Sequence, residues 1–164
     1  MKHLMTFLFA LTLLGNDNSN LTVMTDSTAI ANCDAEIIVS NNMASKTMPY
    51  NEMVFDMEIK NISSSTQTYT LYTDFLDEDC SNKYIPRETG DSNTKLGVTI
   101  LNVPNNTIEL NSGKSQIFKV KLTLLDETKQ KSWTCIEVNA KTSACNTVSR
   151  PQVLSVYVPN PNED

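Results

Sequence analysis

The chain has 164 residues, with 13 lysines and arginines against 19 aspartates and glutamates and a formal net charge of −6 at pH 7. Its lysines are spread rather than clustered, so it lacks the basic stripe that a phosphate backbone requires, and nucleic acid is not an expected partner. The one histidine, His3, lies inside the signal-like N-terminal segment, so the mature protein is expected to have no Ser-His-Asp or Cys-His nucleophile pair, no imidazole acid or base, and no common histidine zinc site.

Residues 1–3 give a basic start and residues 4–14 an apolar run that stops at Gly15-Asn16-Asp17. A membrane-spanning helix needs about 20 apolar residues. The pattern is that of a secretory signal peptide over residues 1–15, with Ala29-Ile30-Ala31 as an alternative cleavage point that extends it to 31. Residues 16–31, rich in Asn, Ser, Thr and Asp, read as a polar leader or linker. Asn32 is too bulky for a lipoprotein cleavage site before Cys33, and no later run is apolar enough to span a bilayer. Residues 32–164 are therefore expected as a single domain, secreted to an extracellular or periplasmic space, with no stable membrane insertion.

From Cys33 the chain adopts a period of two. Ala35, Ile37 and Val39 share one face of a first strand, and the polar residues 41–51, with Pro49, are expected as a loop. Residues 53–61 place Phe55, Met57 and Ile59 inward against Asp56, Glu58 and Lys60 outward. After a serine-rich turn at 62–66, residues 69–75 form a strand of aromatic and β-branched residues. Residues 76–93 are the longest irregular stretch, with Pro86, Gly90 and room for a short edge strand. Strands follow over 96–103 and 107–110, and Asn111-Ser112-Gly113 turns the chain with Gly113 at positive φ. Residues 117–125 alternate Phe118, Val120, Leu122 and Leu124 with Lys119, Lys121 and Thr123. Residues 126–132 are a charged connection or a single helical turn, and 133–140 and 152–158 are the last strands. Seven to eight such strands without a helix specify an all-β, antiparallel β-sandwich.

The pair Phe55-x-Met57-x-Ile59-x-Asn61-x-Ser63 and Ile108-x-Leu110-x-x-Gly113-x-Ser115-x-x-Phe118-x-Val120-x-Leu122 resembles the immunoglobulin-like and fibronectin type III-like accessory modules of secreted proteins. The resemblance spans residues 33–159 and implies an immunoglobulin-like sandwich, but it transfers no functional residue. The strand over 53–61 has no cysteine, so the usual link between the two sheets is missing.

The four cysteines, Cys33, Cys80, Cys135 and Cys145, are even in number and follow an export signal, which favours two disulfides. None forms a C-x-x-C pair, so a cysteine zinc site is unsupported. In an antiparallel sandwich the end of the third strand, before Cys80, lies beside the start of the penultimate strand, at Cys135. The start of the first strand, at Cys33, shares an end of the sandwich with the last hairpin loop, which holds Cys145. Cys80–Cys135 with Cys33–Cys145 is expected; the rival is a Cys135–Cys145 clasp with Cys33–Cys80.

Three patterns bear on chemistry. Asp74, Asp77, Glu78 and Asp79 offer oxygen ligands for Ca²⁺ but lack D-x-D-x-D-G spacing, which leaves a solvated acidic loop as the plainer reading; a glycosidase carboxylate pair has no framed cleft here. Trp133, Tyr69, Tyr72 and Tyr84 suit either a sugar-stacking platform or core packing. Asn20, Asn61 and Asn105 open N-x-S/T acceptor motifs. No catalytic, cofactor-binding or metal-binding residue is assigned. The expected function is an exported, non-catalytic binding or structural module that contacts a protein or glycan through loops or an edge strand; the alternative is a secreted protease inhibitor presenting residues 76–93.

Overall fold

The structure, a computed structural model, describes residues 34–148 and 150–160. The expected signal peptide and leader, together with Asn20 and Cys33, lie outside the described residues. Strands β1 (Ala35–Val39), β3 (Glu52–Asn61), β7 (Ser115–Thr123) and β5 (Gly97–Leu101) form one sheet in that order. The second sheet runs β2 (Ser45–Thr47), β9 (Gln152–Val158), β8 (Ser132–Lys141), β4 (Gln67–Leu76) and β6 (Thr107–Leu110). Immunoglobulin domains set strands A, B, E and D in one sheet and C, F and G in the other. The orders A-B-E-D and G-F-C recur as β1-β3-β7-β5 and β9-β8-β4, with β2 and β6 added at the edges of the second sheet, so the fold is an immunoglobulin-like β-sandwich; nothing in it singles out fibronectin type III.

Period-two alternation accounts for the first sheet. Met53, Phe55, Met57 and Ile59 of β3 and Phe118, Val120 and Leu122 of β7 are buried between the sheets. Outward, Lys119 lies 2.6 Å from Asp56 across the strands, and Lys121 lies 2.5 Å from Glu52. Gly113 takes the expected positive φ, at 72°.

Among the described residues nine strands form where seven or eight were expected, because β2 lies inside residues 41–51. Backbone pairing makes it: it runs parallel to β9, with the Ser155 N–H donating to the Ala44 carbonyl at 2.8 Å and the Met48 N–H to the Tyr157 carbonyl at 2.9 Å. Its central residue is a lysine whose ammonium sits 4.5 Å from the Phe55 ring centroid, so the hydrophobic pattern is silent there. No strand forms within residues 77–96. Strand β8 departs from alternation because it is buried on both faces. Ile136, Val138 and Ala140 face the core, while Trp133, Cys135 and Asn139 are buried on the outer face under connecting loops.

The register separates the two ends of the sandwich. Leu76 pairs with Cys135, Gly97 with Thr123, Glu52 with Thr123 and Ser132 with Val158. These pairs gather the connections 48–51, 77–96 and 124–131 at one end, and leave Asn61 and the connections 62–66, 111–114 and 142–151 at the other.

Candidate functional site at the loop end of the sandwich

Residues 77–93 lie on the outer face of the second sheet, and side chains hold them there. Cys80 is disulfide-bonded to Cys135 of β8, with Cα atoms 5.9 Å apart. The Asn93 amide donates to the carbonyls of Leu76 at 2.9 Å and Glu78 at 2.7 Å, and its oxygen accepts from Arg87 at 3.2 Å. The Ser155 hydroxyl donates to the Cys80 carbonyl at 2.5 Å. Further along, Asn82 Oδ1 accepts the N–H groups of Tyr84 and Ile85, both at 2.9 Å, and the Trp133 indole donates to the Ile85 carbonyl at 2.9 Å. The loop is thus fixed on either side of Tyr84, whose side chain points into solvent and is 80% exposed.

Tyr157 links this loop to the β2–β3 connection. Its ring centroid is 5.4 Å from that of Trp133, and its carbonyl accepts the Met48 N–H two residues before Tyr50, which is 83% exposed. The third connection joins through Leu124, which donates to the Asn51 carbonyl at 2.8 Å, and Thr128, whose hydroxyl donates to the Lys95 carbonyl at 3.1 Å. A small pocket of about 120 Å³ opens between Ile85, Arg87, Asp91, Lys131, Trp133 and Tyr157. Lys129 pairs with Asp91 at 2.6 Å on its rim.

The acidic residues read from the sequence do not converge. Asp74, Asp77 and Glu78 are exposed, and Asp74 stands opposite Glu137 across β4 and β8. Asp79 is engaged within its own turn: the Ser81 N–H donates to its carboxylate at 2.9 Å and holds its pKa below the usual value, with Arg87 adding to the effect. Among the described residues no group of three such side chains could hold a metal ion.

The four aromatics do not form one surface. Tyr69 is in the core, Trp133 is covered by the loop, and Tyr72 donates its hydroxyl to the Asn146 carbonyl at 3.0 Å near the opposite end. Of the four only Tyr84 is exposed, with the Lys83 ammonium 4.9 Å from its ring centroid, so the sugar-stacking platform is withdrawn. Trp133 is buried, though beneath the loop rather than between the sheets.

Cys80 pairs with Cys135 as expected, which removes the rival Cys135–Cys145 clasp. Cys145 is also disulfide-bonded; its expected partner, Cys33, lies outside the described residues. Asn61 is no glycan acceptor in the fold: it is fully buried, and its amide donates to the carbonyls of Ser65 at 2.8 Å and Leu110 at 2.9 Å. Its oxygen accepts from the Ser63 N–H and from the hydroxyls of Ser63 and Tyr69. Asn105 is exposed in the 3-10 turn Pro104–Asn106, at φ 51°.

Sequence reasoning missed Asn93, Tyr50 and Tyr157. Nothing local marks Asn93, whose partners gather only when β4 and β8 pair. Pro49-Tyr50 between two strands was the one available signal for an aromatic on a turn.

No protein-family model and no curated protein matches this chain. Weak likenesses to solved structures exist. A FixG-related protein from Vibrio parahaemolyticus is 13% identical over 77% of this chain and 94% of that one, with a TM-score of 0.42. The ASH / PapD-like domain 7 of human CEP192 is 12% identical over 92% and 96%, with a TM-score of 0.45. The CupB2 chaperone of Pseudomonas aeruginosa is 8% identical over 73% of this chain and 54% of that one, with a TM-score of 0.42. At these values the likenesses establish neither family nor activity.

Proposed function

We propose that this chain is an exported, non-catalytic binding module that contacts an extracellular protein through the loop end of its sandwich. The observation that carries the reading is Tyr84, 80% exposed on a loop tied to the sheet on both sides of it. Binding costs free energy for every segment that must be ordered, and this loop is already ordered. Tyrosine adds large contact area at low entropic cost, and Tyr50 supplies a second such side chain on a neighbouring connection. A protein is favoured over a glycan because Trp133, the one tryptophan, has no free ring face to stack on a sugar. Export is supported by the Cys80–Cys135 disulfide, of a kind that persists in oxidising compartments, and by the signal-like residues 1–15 with their leader 16–31. Among the described residues no helix is long and apolar enough to cross a membrane.

The inhibitor alternative gains no support from the loop's shape. A substrate-like loop offers a protease an extended backbone with free N–H groups, whereas residues 83–85 are bent and two of their N–H groups are held by Asn82. The test is capture from the host's secreted and surface fractions with wild type, Tyr84→Ala and Tyr50→Ala, beside a glycan array and a protease panel. A protein retained by wild type and weakened about tenfold or more by either substitution supports the reading. Retention indifferent to both substitutions, binding on the glycan array alone, or inhibition in the panel overturns it.

A further inference from the structure

Four strands end the two sheets, and three of them are guarded. The outer side of β1 is bonded to Arg150: the Ile37 N–H donates to the Arg150 carbonyl at 2.9 Å, and the Arg150 N–H to the Ala35 carbonyl at 3.1 Å. Strand β2 has three residues centred on Lys46, and β6 has four and carries Glu109. Strand β5, Gly97-Val98-Thr99-Ile100-Leu101, has none of these devices. Among the described residues it pairs only with β7, and no charged residue occurs from Leu96 to Asn106. An unguarded edge presents a row of backbone donors and acceptors to any strand that fits.

We propose that β5 is a self-association edge, where two copies of this chain pair antiparallel about a two-fold axis through Thr99. A two-fold sets every residue opposite its mirror position, so a charged strand would meet its own like charge. Strand β5 carries no charge and is self-complementary in size. With Thr99 opposite Thr99 of the second copy, Val98 meets Ile100 and the side-chain-free Gly97 meets Leu101. Val98 and Ile100 already pack against the core from the sandwich lip, so their pairing extends buried apolar surface. The nearest cations do not oppose it. Lys121 and Lys119, beside Thr99 and Leu101 on β7, are paired with Glu52 and Asp56, and three strand spacings of about 4.8 Å put the two Lys121 backbones beyond the Debye length of about 8 Å. The two four-stranded sheets then become one continuous sheet. A five-residue edge gives an interface below about 1,200 Å² in total, so the dimer is weak and concentration-dependent.

The test reverses charge on the axis. Thr99 is exposed, so Thr99→Lys and Thr99→Glu leave the fold intact, as circular dichroism and melting check. In sedimentation equilibrium, wild type is expected to dimerise with concentration, and each variant alone to associate at least about tenfold more weakly, because like charges then face each other. An equimolar mixture of the two variants is expected to recover a heterodimer. Thr99→Cys gives a second readout, a disulfide joining two copies at residue 99. Wild type that stays monomeric to about 1 mM overturns the proposal. So does a wild-type dimer that either charged variant forms equally well, or one that Thr99→Cys does not capture.

Discussion

Asn61→Ala is expected to be the most damaging polar-to-alanine change in the domain. The side chain makes two donor and three acceptor contacts, all within 3.0 Å. Truncation does not harm every partner equally. The Ser63 hydroxyl keeps its bond to the Ser65 carbonyl at 3.0 Å, and the Tyr69 hydroxyl falls back on the Asp34 carbonyl at 3.4 Å. The Leu110 carbonyl loses its Asn61 donor and the Ser63 N–H its acceptor, in a site closed to water. At about 1–3 kcal/mol for each orphaned group, with a smaller loss at Tyr69, the cost is about 4 kcal/mol. That is a large part of the roughly 5–15 kcal/mol that holds a domain together. Urea unfolding reads it as a fall in midpoint at unchanged slope. Ser63→Ala is the control: it destroys the same N-x-S motif yet leaves the Asn61 amide bonds in place, and it is expected to cost about 1 kcal/mol. A loss below about 1 kcal/mol for Asn61→Ala in protein from a non-glycosylating host would refute the hub.

Replacing both Cys80 and Cys135 by alanine is expected to remove about 2–4 kcal/mol while unfolding stays cooperative, because neither cysteine belongs to the core between the sheets; a red shift of Trp133 emission reports the lifted loop, and unchanged emission contradicts its role as a cover. Burial pushes the Tyr69 phenol above its usual pKa, so its contribution to stability is complete below about pH 10, where the unfolded chain begins to ionise, and is lost as pH rises through the folded value. Tyr69→Phe is expected to flatten that alkaline decline in denaturant midpoints, and an identical decline would count against Tyr69 as its source.

The fold was legible where one face of a strand meets water. Strands β3 and β7 show it, since the outer partners of their buried residues are the lysines and acids of the cross-strand ion pairs. The reading failed where a strand is covered twice or held only by its backbone: β8 lies under two loops, and β2 turns a lysine toward Phe55. The Cys80–Cys135 pairing was legible because antiparallel neighbours place the end of one strand beside the start of the next, as Leu76 opposite Cys135 shows. The candidate site was only partly legible. Tyr84 was grouped with three aromatics that the fold sends elsewhere, and Asn61 was read by a three-residue motif although Leu110, one of its partners, is 49 residues away.

The asparagines, which the sequence offers mainly as polarity and turn signals, divide the sandwich into two unlike ends. At the end opposite the loops, Asn61 and Asn139 are turned inward and buried. Asn139 accepts the Val148 N–H at 3.2 Å and donates to the Thr147 hydroxyl at 2.7 Å, so it closes the last connection much as Asn61 closes the 62–66 turn. A buried amide can satisfy several backbone groups at once, which lets short loops lie flat without orphaned carbonyls. At the loop end Asn82 and Asn93 do the same work, bonding backbone groups of the loop that carries Tyr84. One residue type therefore seals the turns of one end and braces a loop at the other. In the proposed binding function, that asymmetry favours the Tyr50 and Tyr84 connections as the face that meets a partner.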